Sequence, residues 1–315
     1  MNGRFELVDA ETGDVLDLVT FTDGEVTYES GLAESIVGTR RRLIPATGEL
    51  LASFDGWSNG YLITRLIGGE VQAAAGDTDA ERIQAQWDAA KARLLRRWPK
   101  LAKPMVDELA SQAEGLVETG DLARLGELQA SAGVVAAVAV PLRQSGTDLA
   151  AEAAAGVVEE AAVQDVSIAA PDAPGVERVR QHADVVARII ANGYASGAAR
   201  TALQLSGAGP QEVRDEVERH LTELGQSTNG LVGTEIGGLL SAAQHAGRLA
   251  VLEQEPGNTV QAIEINDLNR CEPCSEDSNR VFPDLRAALQ VYVVAGNRHC
   301  LGRSRCRGYL RMIWR

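Results

Sequence analysis

From Thr78 to Glu253 the apolar residues recur at intervals of three and four, and much of that apolar content is alanine. This is the period of one helix face, so the middle of the chain is committed to packed helices. With 45% hydrophobic residues but only 4% aromatic ones, small contacts between helices are favoured over a sheet-based core. At 315 residues the chain is long enough for two or three domains.

The helices are read from their punctuation. Asp79 caps a first helix carrying Ile83, Trp87, Leu94, Leu95 and Trp98 on one face, which Pro99 is expected to stop. Pro104 to Val117 and Leu122 to Val140 continue the pattern, the latter ending at Pro141. Ala150 to Ala170, without an aromatic residue, predicts a poorly packed helix before a linker at Pro171-Asp172-Ala173-Pro174, the best boundary in the middle of the chain. Val176 to Leu205 follows, with Gly193 and Gly197 as weak points; then Pro210 to about Leu224 and Leu231 to Glu253.

The ends read differently. Phe5–Val8, Val15–Phe21 and Glu25–Tyr28 are strand candidates separated by the turn signals Thr12-Gly13-Asp14 and Thr22-Asp23-Gly24. Gly31 to Leu43 suits a short helix, and two further strand-like runs fall between Gly48 and Ile67. Val260 to Ile265 is a strand leading into the cysteines. The expected fold is therefore mainly α, with a small N-terminal α+β unit (1–70) and a small C-terminal α+β cysteine-bearing domain (256–315). Between them lie an alanine-rich helical region (75–170) and a helical arm (175–255).

All four cysteines, Cys271, Cys274, Cys300 and Cys306, lie in the last 45 residues. Such clustering indicates a local device and not a disulfide-framed secreted chain. Two thiolate pairs brought together can hold Zn²⁺ tetrahedrally and fix a domain too small to hold itself. Cys271-Glu272-Pro273-Cys274 has the usual spacing, whereas five residues separate Cys300 from Cys306, wider than usual. Structural zinc, disulfides and buried reduced thiols all stay open. The same end is basic: Gly296 to Arg315 holds six arginines and no acidic residue, in a chain of net charge −14. Arg298, Arg303, Arg305, Arg307 and Arg311 are candidate contacts to DNA phosphates or to an acidic protein face.

The order of these features is similar to one family. Thr234-Glu235 on a helix is followed by the strand Ile263-Glu264-Ile265, then Cys271-Glu272-Pro273-Cys274 and the acidic Ser275-Glu276-Asp277. Arg280-Val281-Phe282 comes next, and the last cysteines stand in Cys300-Leu301-Gly302-Arg303-Ser304-Arg305-Cys306-Arg307-Gly308. From Thr234 to Trp314 the chain resembles the C-terminal part of phage minor head (MuF-like) proteins. The family's common ending, His-Pro-x-Cys-Arg-Cys, is replaced here by His299-Cys300 and a glycine- and arginine-containing loop. The resemblance implies a structural component of the virion, made in the host cytoplasm and bound at the portal or capsid interior. It acts in head morphogenesis or DNA ejection. Its implied partners are the portal protein, the major capsid or scaffolding protein and packaged DNA, and its implied metal ligands are the four cysteines.

Other constellations are weaker. His182, His220 and His245 lie on expected helices with no nucleophile motif beside them, no Gly-x-Ser-x-Gly elbow occurs, and no Walker loop is present. Glu159-Glu160 and Glu253/Glu255 read as solvated faces, Trp57 and Trp87 as core anchors, and Glu235 as a structural residue. No catalytic residue is assigned, and the chain is expected not to be an enzyme. A capsid maturation protease fused to a MuF-like domain and a zinc-ribbon nucleic-acid-binding protein are the alternatives. No signal segment follows Met1, no apolar run approaches the length of a membrane span, and a soluble protein with no membrane partner is expected.

Overall fold

The computed structural model describes residues 3–9, 15–22, 25–28, 62–66, 78–205, 207–226, 230–265, 272–292, 298–300 and 307–314. The chain is mainly α and divides into two compact units, Met1–Thr78 and Asp79–Arg315. In the first, strands β1 (Gly3–Asp9), β2 (Val15–Thr22), β3 (Glu25–Tyr28) and β4 (Leu62–Leu66) form an antiparallel sheet in the order β3-β2-β1-β4. Three expected strands are found at nearly their expected bounds, and the second of the two later runs is β4. The expected helix at Gly31–Leu43 and the run before β4, with Trp57, lie outside the described residues.

The second unit carries helices α1 (Thr78–Glu118), α2 (Ala132–Ala162), α3 (Val176–Gln204), α4 (Pro210–Gln226) and α5 (Leu231–Leu252). Two expectations fail at prolines. Pro99 and Pro104 lie inside α1, and Pro141 lies inside α2. A proline in a helix interior costs about 3 kcal/mol through a lost hydrogen bond and a ring clash. Here the residues around each site are buried: Trp98, Ala102 and Met105 on α1, and Val138, Ala139 and Leu142 on α2. Each large buried side chain contributes about 1.5–3 kcal/mol, so packing outweighs the local penalty.

Trp98 is fully buried, and its Nε1–H donates to the Tyr194 hydroxyl on α3 at 2.9 Å. Burial raises the pKa of that phenol, and the bond from Trp98 partly offsets the rise. Trp98→Phe leaves Tyr194 without its donor and also removes the five-membered ring of a fully buried indole, so a lost bond and a small cavity both count. We expect a loss of about 2–4 kcal/mol in urea unfolding with an unchanged slope; an unchanged midpoint would show that neither the bond nor the packing at this site contributes.

The helix expected to pack poorly packs tightly. Ala150, Ala153, Ala154, Val157 and Ala161 are buried, and α2 comes close to α5 where Ala150 of the one meets Gly247 of the other. Gly193 and Gly197 are likewise not weak points. A Cβ on Gly193 would sit 2.1 Å from Leu231 Cδ2, and one on Gly197 would sit 3.2 Å from Leu221 Cδ2. The segment Pro171–Pro174 falls inside the second unit, joining two helices that pack on each other.

A three-stranded antiparallel sheet completes this unit, with β5 (Thr259–Glu264) between β6 (Val281–Phe282) and β7 (Gly308–Ile313). Val260, Phe282, Leu310, Met312 and Trp314 share one core with Ala154, Val157 and Ala161 of α2 and Leu249 and Leu252 of α5. Gln164 clamps β7 from the end of α2, donating to the Met312 carbonyl at 3.2 Å and accepting from the Trp314 amide at 3.0 Å. The sheet is therefore seated on the helices and does not hang from them by a linker.

One stretch corrects the expectation that no apolar run reaches membrane length. Leu122–Ala162 is long and apolar enough to cross a bilayer by length and composition, and only 22% of its most apolar window is buried.

Candidate functional site

The cysteine region is built around β5. A short helix, α6 (Glu272–Asp277), follows that strand and carries Cys274, which is fully buried. Cys300 is half-buried after the turn at Arg298–His299. Between them, α7 (Leu285–Val291) starts at Asp284, whose side chain accepts from the Ala287 amide at 2.7 Å, and leads to the buried Tyr292.

The Tyr292 phenol and the Glu264 carboxylate converge on Gly308. A Cβ there would lie 1.8 Å from the Tyr292 hydroxyl and 3.0 Å from Glu264 Cδ. Only glycine lets β7 pass at this point. Burial pushes the Tyr292 phenol well above its ordinary pKa, the Glu264 charge adds to this, and the Cys274 and Cys300 thiols contribute further. Cys274 and Cys300, one from each half of the cysteine pattern, thus both act electrostatically on the buried Tyr292 phenol. Cys271 and Cys306 lie outside the described residues. Among the described residues no three of His, Cys, Asp and Glu gather as a metal-holding group.

The centre rests on a charged seat that sequence reasoning missed. Arg248 on α5 is 2% exposed and donates from Nη1 and Nη2 to Glu160 of α2 at 2.7 and 2.6 Å. Nη2 also donates to the Leu310 carbonyl of β7 at 3.0 Å, and the guanidinium lies 4.6 Å from the Tyr309 ring centre. Burial works against this charge, but Glu160 more than offsets it and the pKa is raised. Arg82 of α1 joins from outside, donating to Glu160 at 3.1 Å, to Glu159 at 3.0 Å and to Asp79 at 2.8 Å. The expectation of a solvated Glu159-Glu160 face is therefore corrected for Glu160, which is 5% exposed. One signal was available: α5 is a 22-residue, largely apolar helix in which Arg248 stands among apolar residues near the C-terminal end, and a charge buried there needs a partner.

The arginines divide. Arg307 is 7% exposed and stacks on Trp87 at 3.9 Å from the ring centre, which removes it from the candidate DNA contacts. Lys91 covers Trp87 at 4.8 Å, and burial, then the repulsion of Arg307, lower its pKa. Trp87 is buried as expected and donates to the Gly237 carbonyl and to Ser241. Arg311 is half-buried and donates to Gln261 on β5 at 3.0 Å. Arg298 is exposed, with one nitrogen donating to the Gln290 carbonyl at 3.2 Å. Arg303 and Arg305 lie outside the described residues.

Of the remaining residues singled out from the sequence, Thr234 is exposed and Glu235 half-buried on α5. Burial lowers the His182 pKa on α3, and the charge of Glu235 opposes that shift. His245 is buried beside Gln244, which donates to the Ile83 carbonyl at 2.8 Å.

Compared with known proteins, the chain matches no family model, no curated protein and no solved structure.

Proposed function

We propose that the chain is a minor head (MuF-like) protein of a bacteriophage, a structural and not a catalytic part of the virion. It acts at the portal or the capsid interior in head assembly or genome delivery. One observation supports this reading above the others: the strand before the first cysteine pair, that pair's second cysteine, and the strand after the last pair are all built around the buried Tyr292. Glu264 and Gly308 at the start of β7 converge on the Tyr292 hydroxyl, Cys274 and Cys300 act on the same phenol through their charge, and β7 is tied to the helices through Arg248 and Trp87.

In this reading Cys271, Cys274, Cys300 and Cys306 supply a tetrahedral thiolate set for Zn²⁺, which would brace a sheet with only two residues in its outer strand β6. Arg298, Arg303 and Arg305 are left to meet DNA phosphates or an acidic portal surface, while Arg307 and Arg311 serve the fold.

The test co-produces the full-length chain with the portal, scaffolding and major capsid proteins of its own phage and counts copies per purified procapsid. A few copies per particle, lost when the portal is omitted, are expected. Absence from particles defeats the reading, and trimming of the capsid protein that depends on this chain would replace it with the protease alternative. Elemental analysis of the purified protein addresses the metal separately. One zinc per chain, lost with a fall in melting temperature in Cys274→Ser, is expected, whereas zinc-free protein of equal stability would leave thiols or disulfides.

A further inference from the structure

The least expected surface of the second unit lies on the side formed by the first half of α2 and the neighbouring face of α3. Val140 is 58% exposed on α2, and Val185 and Ile189 are 42% and 40% exposed on α3. Between the helices runs an open groove of about 660 Å³ with Val135, Ala136, Ala139 and Ala191 in its lining. The valine and isoleucine knobs flank that lining: Val140 stands one turn from Ala136, and Ile189 stands one turn from Asn192 at the groove's edge. The surrounding helical stretch is apolar enough to span a bilayer, yet only 22% of its most apolar window is buried. Contiguous exposed apolar surface of this kind marks an interaction site.

We propose that this face is where two copies of the chain associate, α2 and α3 of one against α2 and α3 of the other about a two-fold axis. A two-fold interface must be complementary to itself, and this face carries both members of each pair it needs. The protruding Val140, Val185 and Ile189 match a hole floored by alanine and valine. The charges match as well. Arg143 engages Asp184 through Oδ1 in both of its contacts, at 2.7 and 2.5 Å, which leaves Oδ2 for another donor. Arg188 donates from Nε to the Asp184 carbonyl at 3.2 Å and has no carboxylate partner among the described residues. Across a two-fold axis, Arg188 of each copy meets Asp184 of the other. A partner of different chemistry would need only the hole or only the knobs; a second copy uses both.

Sedimentation of the full-length protein across the micromolar range tests this. A reversible monomer–dimer equilibrium is expected. Val140→Asp and Arg188→Glu should each weaken it at least about 30-fold, the effect of losing a central contact. Both positions are exposed, so circular dichroism and melting should stay near wild type. Val163→Asp, at a residue 85% exposed beyond this face, should leave the equilibrium unchanged. A wild-type protein that stays monomeric at the highest concentration overturns the proposal. So does a dimer indifferent to Val140→Asp and Arg188→Glu. Flotation of a monomeric protein with phosphatidylglycerol vesicles, abolished by Val140→Asp, would give the face to a lipid surface and also overturn it.

Discussion

Gly247→Ala should destabilise the second unit by about 2 kcal/mol net and lower its melting temperature by roughly 4–8 °C. The reason is the approach of α5 to α2. A Cβ at Gly247 would lie 2.0 Å from the Ala150 carbonyl oxygen and 2.6 Å from its carbon. These are backbone atoms and cannot rotate aside, so the two helices must separate. Separation costs the whole seam, including Ala150, Ala154 and Leu249, all buried. Alanine is the better helix former by up to about 1 kcal/mol, and that gain is overwhelmed here. Gly115→Ala is the matched comparison: nothing lies within 4 Å of a Cβ there, so the propensity gain should appear as a small stabilisation. Equal melting temperatures for the two variants would show that the helices are not in the close contact described.

The second large effect is expected at Arg248. Arg248→Met should cost about 3–5 kcal/mol, because it leaves the Glu160 carboxylate buried with only Arg82 to answer it. The change also removes the donor to the Leu310 carbonyl, so amide exchange should quicken in β7 before it does in α3. Adding Glu160→Met should restore most of the loss, since an apolar pair of similar volume replaces a buried ion pair at little net cost. If the double variant is no more stable than Arg248→Met alone, the pair is not the source of the effect. Arg82→Ala removes only the half-exposed partner and should cost well under the loss at Arg248.

How much of this was legible beforehand varies with the kind of signal. Strands β1, β2, β3 and β5 and helices α3, α4 and α5 follow from period and punctuation within a few residues, because capping, turn residues and alternation act over four or five positions. The three prolines misled for the same reason. Pro99, Pro104 and Pro141 carry a local penalty that any sequence shows, while the burial that overrides it comes from residues up to a hundred positions away. Alanine misled in the opposite direction. The run after Ala150 offers few large side chains, yet small side chains are what let α2 and α5 come close enough for Gly247 to touch the Ala150 backbone.

For the candidate site, the sequence determined that the four cysteines cluster in the last 45 residues and six arginines between Gly296 and Arg315, which needs no tertiary information. Only the tertiary structure decided which of them remain on the surface. Arg307 turns onto Trp87, 220 positions earlier in the chain, and leaves the set of free cations. Glu160 turns inward to Arg248 and leaves the solvated face. A charge goes inside only where a partner waits, and the partner's position is a property of the packed helices rather than of the residues beside it in the chain.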